Sequence, residues 1–202
     1  MSKEKITGKT GYIALLGILS AQALVLSLLE NFIPAIPGLP PGAKPGFSNI
    51  VTMFTASTMG LFPALGITLV KSVFAGITRG ATAFFMSLCG GVLSTLVMVA
   101  VLKFPKNPFG IIGVSIASAA AHNAGQLLVA CVISGTPALV WGYGPLLLLF
   151  AIITGAVTGT ILRIVMPALE KQSNFFKINS KSDKQKRGLI KFKNVQPAKK
   201  SD

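Results

Sequence analysis

From Gly11 to Pro167 the chain consists of long apolar runs, broken by short stretches that are polar or rich in proline and glycine. A run of roughly 20 apolar residues is long enough to cross the hydrocarbon core of a bilayer as a helix. The pattern predicts six such spans, over residues 11–33, 47–62, 63–78, 81–102, 111–134 and 138–166. The second and third are near the short limit, so residues 47–78 are read either as two spans or as a helical hairpin that is not fully exposed to lipid. Pro63 suits the first turn of a helix, where a missing N–H costs nothing. No internal repeat is evident. The fold expected is an all-α integral membrane protein, a six-helix bundle with a Pro/Gly-rich outer loop. Its parts are a basic N-terminus (1–10), a membrane domain (11–167) and a basic tail (168–202) expected to be disordered.

Composition supports the membrane reading. Hydrophobic residues make up 51% of the chain and charged residues 12%, about half the share usual in soluble domains. The net charge of +14 invites a nucleic-acid partner, but its distribution argues against one. Most lysines lie in the first ten residues or after Glu170, where a basic segment beside a membrane helix acts as an anchor on anionic lipid. With six spans both termini share one side, together with Lys103 and Lys106, while Lys44 and Arg79 fall opposite. The positive-inside rule then places both termini in the cytoplasm of a multi-pass cell-membrane protein. Cys89 and Cys131 lie in apolar runs without metal or redox spacing and read as structural thiols. The first apolar run has full span length and no A-x-A-like cleavage site, so it reads as a retained helix.

Ionisable groups inside a span are costly and mark functional sites by default. The chain has few: Glu30 near the end of the first span, Lys71 and Arg79 eight positions apart in the third, and His122 in the fifth. In "VSIASAAAHNAGQLL", Ser115, Ser118, His122 and Gln126 recur at helical spacing and form one stripe, with Asn123 beside it. Such a stripe must face protein or water. It serves either interhelical hydrogen bonding or a ligand. Arg79 reads equally as a snorkelling interfacial residue. Lys71 is too deep for that and needs Glu30, a carbonyl or a bound anion as partner.

The stretch "PGLPPGAKPGFSNI" (37–50) holds four prolines and three glycines. A loop of this kind takes a defined shape and can bring its backbone close to a ligand. It would hold Lys44 over a cavity mouth, and Ser48 or Asn49 would cap the next helix, whose N-terminus suits an anion. The bland alternative is a rigid interfacial turn. The candidate substrate-binding residues are therefore Lys44, Asn49, Lys71, Arg79, His122, Asn123 and Gln126. Ala14, Gly17 and Ala21, and separately Gly155 and Gly159, form small-residue faces that allow close helix contact.

Three segments, "PGAKPGFSNIVTMF", "GVSIASAAAHNAGQLLVA" and "LLLLFAIITGAVTG", resemble the Gx transporter family, also known as heptaprenyl diphosphate synthase component I. That family is similar to the substrate-binding S components of energy-coupling factor transporters. The resemblance covers about residues 11–166 and implies an S-component-like bundle that captures a small polar or anionic metabolite from outside. It also implies a transmembrane coupling subunit and ATPase subunits as partners, met through Ala14, Gly17 and Ala21. No cofactor and no catalytic residue is expected. Prenyl elongation needs clustered aspartates to hold Mg²⁺, and the first Asp is Asp183. No Walker A pattern is present, so ATP-driven transport needs a separate ATPase. The alternatives are a stand-alone carrier of an isoprenoid or quinone precursor, or a noncatalytic membrane subunit of a synthase.

Overall fold

The computed structural model describes residues 9–32, 46–103 and 110–193. These residues form helices alone: α1 (Lys9–Asn31), α2 (Asn49–Thr58), α3 (Leu61–Arg79), α4 (Ala81–Lys103), α5 (Gly110–Ser134) and α6 (Ala138–Lys193). Five of the six, all but α2, are long and apolar enough to cross a bilayer. Large apolar side chains such as Phe62, Ile77, Trp141 and Ile164 project outward, as expected where lipid rather than water surrounds the bundle.

Helix α2 differs from the second span read from the pattern. It has ten residues, so it rises about 15 Å, half the thickness of the hydrocarbon core. Ile50 to Ala56 are all buried, and the helix packs on α1, α3, α4 and α6. A helix enclosed by protein is apolar all round, as a spanning helix is, so hydropathy does not separate the two cases. Thr55 and Thr58 turn their hydroxyls back on the helix, donating to the Val51 and Phe54 carbonyls, both at 2.8 Å. Gly60 (φ +99°) and Gly80 (φ +92°) make the sharp reversals into α3 and α4, with backbone angles that side chains oppose.

The centre of the bundle is filled by Leu15, Leu19, Phe54, Ile67, Met98, Val114 and Leu162, each at most 1% exposed. On α1 these leucines mark the inward face. Ala14, Gly17 and Ala21 lie on the opposite, exposed face. Helix α5 is joined to its neighbours backbone to backbone. A Cβ on Gly125 would lie 2.6 Å from Gly90 Cα in α4, and one on Gly155 would lie 2.5 Å from Ile116 Cα. Gly155 and Gly159 thus form the α6 contact face for α5, the close packing that their spacing suggests.

The helical backbone of α6 continues to Lys193, through residues 168–193, where the sequence reading expects disorder. Between Pro167 and Pro197 the segment has no proline and many good helix formers, so nothing local stops the helix begun in the membrane.

Replacing Gly125 with Ala forces its new methyl into the Gly90 backbone and is expected to cost about 1–3 kcal/mol, the usual range for overpacking. Gly17→Ala, which meets nothing within 4 Å, should leave the unfolding temperature unchanged or slightly raised. Thermal melts of the two variants in one detergent provide the comparison. Equal melts would show that the α4–α5 contact is not close.

Candidate functional site

The site is built around the start of α2. Glu30, 4% exposed at the end of α1, accepts a hydrogen bond from the Ser48 backbone N–H at 2.9 Å. A carboxylate at a helix N-terminus satisfies an orphan donor and opposes the positive end of the helix dipole. Ser48 makes no side-chain cap, so the capping role expected of Ser48 or Asn49 falls to a residue of another helix. Asn49 points across to α3 instead, where its Oδ1 accepts from Lys71 Nζ at 2.8 Å. Lys71 precedes Arg79 by eight positions, about 12 Å along α3. Helix α2 therefore begins inside the bundle, well short of the Arg79 end. Glu30 lies within electrostatic reach of both Lys71 and Arg79. With the α2 N-terminus, the positive groups outnumber the carboxylate.

Helix α5 closes the other side. His122 and Gln126, one turn apart, are 7% and 4% exposed, and His122 Nε2 lies 3.0 Å from Gln126 Nε2. The His122 ring reaches Gly46, whose missing Cβ would sit 3.6 Å from His122 Cδ2 and 2.9 Å from Asn49 Nδ2. Gly46 also holds φ +81°, so a side chain there would be strained as well as crowded. On the α4 side, a Cβ on Gly90 would lie 3.1 Å from His122 Nδ1 and 3.2 Å from Gln126 Cγ. Gly46 and Gly90 were missed as site residues. The Gly90–Gly91 pair in the middle of an apolar span was the available signal, because such glycines have a packing reason.

Asn49, Lys71, His122 and Gln126 thus gather around one point, and Arg79 joins them electrostatically through Glu30. Asn123 is also buried but turns to α6, donating from Nδ2 to the Leu147 carbonyl at 2.9 Å. Lys44 lies outside the described residues. The lower part of the α5 stripe makes interhelical bonds: Ser118 donates to Ser94 at 3.3 Å, and Ser115 pairs with Thr158 at 2.8 Å.

Next to this cluster is a narrow cleft with room for about one water molecule. Gly46 and Asn49 line one end, and Met53, Met98, Ser115, Ser118 and Thr158 line the rest. No group of three or more metal-ligating side chains occurs among the described residues.

Residues 19–165 match the family heptaprenyl diphosphate synthase component I, which is most of the chain. The chain belongs to that family. Among solved structures, the S component of a bacterial ECF transporter is similar in fold, with a TM-score of 0.60 at 22% identity. The similarity covers 79% of this chain and 95% of that one. No curated protein matches. The family and the helical, S-component-like fold inferred from the three segments are both borne out.

The two central charges should respond differently to removal. Glu30→Gln keeps an oxygen for the Ser48 N–H but leaves Lys71 and Arg79 without their carboxylate, a loss expected near 3–5 kcal/mol. Lys71→Met leaves Glu30 its Ser48 bond and its Arg79 neighbour and should cost clearly less. Thermal melts of both variants decide the point. Equal losses would reduce Glu30 and Lys71 to a structural pair.

Proposed function

We propose that the protein is a membrane substrate-binding subunit of the energy-coupling-factor type, capturing a small polar or anionic metabolite from outside the cell. The observation that carries this reading is the buried cation Lys71 beside the N-terminus of a half-length helix, within an S-component-like bundle. Half-helix N-termini at mid-membrane are a recurring way to hold an anionic substrate group. Asn49, Lys71, His122 and Gln126 form the binding wall, Arg79 adds charge, Lys44 closes from the loop, and Asn123 fixes α5 against α6. The subunit carries no catalytic residue. The synthase in the family's name fits a noncatalytic companion of an enzyme as a second reading, because the first Asp in the chain is Asp183.

In this reading Ala14, Gly17 and Ala21 meet a transmembrane coupling protein, which in turn holds ATPase subunits. Their exposure on α1 leaves that face open to such a partner. Purified from its own membranes, the tagged protein should bring down a multi-span protein and ATPases, and Gly17→Leu should lose them while its melt stays unchanged. Substrate movement by the protein alone in liposomes would favour a stand-alone carrier. Capture of a soluble prenyl synthase in place of ATPases would favour the second reading.

Both termini are placed in the cytoplasm by the distribution of lysines and arginines. In a background where Cys89 and Cys131 are replaced by Ala, single cysteines at Ala43 and Gly188 should react with an impermeant maleimide from opposite sides of the membrane. Reaction from the same side would rule out this orientation.

A further inference from the structure

We propose that the cleft between α2, α5 and α6 is a binding site for one ordered water molecule, which ties the Asn49 amide to the hydroxyls of the α5–α6 joint and so fixes that amide toward Lys71. The proposal does not rest on the substrate reading above.

The cleft has room for about one water molecule. A buried space of that size holds water only where roughly two to four polar groups meet in it. Asn49 on α2, Ser115 and Ser118 on α5 and Thr158 on α6 all line this one, beside the apolar Met53 and Met98.

The two sides of the cleft are complementary. An ammonium group only donates, so the Asn49 atom 2.8 Å from Lys71 Nζ is the carbonyl oxygen, and the amide nitrogen is the other branch. That nitrogen lies beside Gly46, 2.9 Å from where a Cβ would stand, and Gly46 lines the cleft as well. Asn49 thus presents N–H donors on this side. On the other side the hydroxyl protons are committed. Thr158 donates to the Thr154 carbonyl at 2.8 Å, so in the Ser115–Thr158 pair it is Ser115 that donates. Ser118 donates to Ser94 at 3.3 Å. Oxygen lone pairs are what these hydroxyls still offer.

This donor and acceptor set selects the occupant. A cation would meet the Asn49 N–H groups and the nearby Lys71 charge. An anion would meet the hydroxyl lone pairs. A methyl group would leave both sides unpaired in a medium that cannot solvate them. Water accepts from Asn49 and donates to the hydroxyl oxygens, and a bridge of this kind is nearly as favourable as a direct hydrogen bond. Turning the Asn49 amide over would then lose the Lys71 contact and the bridge together.

A high-resolution crystal structure of the full-length protein is the direct test. It should show one isolated peak within hydrogen-bond distance of Asn49 Nδ2 and of at least one of the Ser115, Ser118 and Thr158 oxygens. The peak should persist when Na⁺ is replaced by choline and Cl⁻ by a bulky anion. Two near-isosteric variants give an independent readout in thermal melts. Ala119 also lines the cleft. Ala119→Ser offers a hydroxyl in place of the water, whereas Ala119→Cys expels the water and leaves the Asn49 N–H unpaired. The cysteine variant should melt below the serine variant. An empty cleft in the wild type, a peak that leaves with Na⁺ or Cl⁻, or a cysteine variant that melts at or above the serine variant would overturn the proposal.

Discussion

The carboxylate of Glu30 on the Ser48 backbone N–H is the contact on which the interior of this bundle depends. A helix that begins inside a membrane protein exposes unpaired N–H groups and the positive end of its dipole to a medium that cannot solvate them. One carboxylate from the neighbouring helix answers both problems. It also allows a lysine and an arginine to lie near, since each would otherwise be a lone cation in low dielectric. With α2 started at that level, Asn49 meets Lys71, and the backbone at Gly46 comes against His122. Charge balance is incomplete, and that surplus of positive groups gives the site its character.

The rest of the bundle is rigid where the site needs it to be. Gly125 against Gly90, and Gly155 against Ile116, leave no room for even a methyl group. Without a hydrophobic effect between helices in lipid, such close backbone contact and hydroxyl bonds are what hold them together. The Thr68–Thr95 and Ser72–Ser87 pairs, both at 3.2 Å, and the Ser94–Ser118 pair link α3, α4 and α5 in this way. The stripe on α5 therefore has two roles at once. Its upper members, His122 and Gln126, lie by Gly46 and Gly90, next to the Asn49–Lys71 pair, and its lower members join helices.

Much of the fold was legible in the chain, because lipid imposes simple rules. Every span must be apolar and helical, so α1 and α3 to α6 follow from run length alone. Helix α2 was harder to read. Its residues are apolar because protein surrounds them, and hydropathy cannot distinguish protein from lipid as the apolar neighbour. In α6 a Lys-rich composition argues for disorder, whereas the helical backbone runs on to Lys193 from a helix already nucleated in the apolar run.

By itself, the sequence determined the membrane class, the family through its three motifs, and which ionisable residues had to be protected from lipid. That much is local: a charge in an apolar run is costly wherever the run packs. Only the tertiary structure decided which protections were used. Glu30 and Ser48 are eighteen positions apart, and Asn49 and Lys71 twenty-two, distances over which no periodicity carries information. The same holds for Asn123, which resembles its neighbour His122 in the sequence but turns to the Leu147 carbonyl because α6 happens to pass there. Gly46 and Gly90 became site residues only because a histidine ring needed the space a side chain would fill, and that space exists only once α2, α4 and α5 have met.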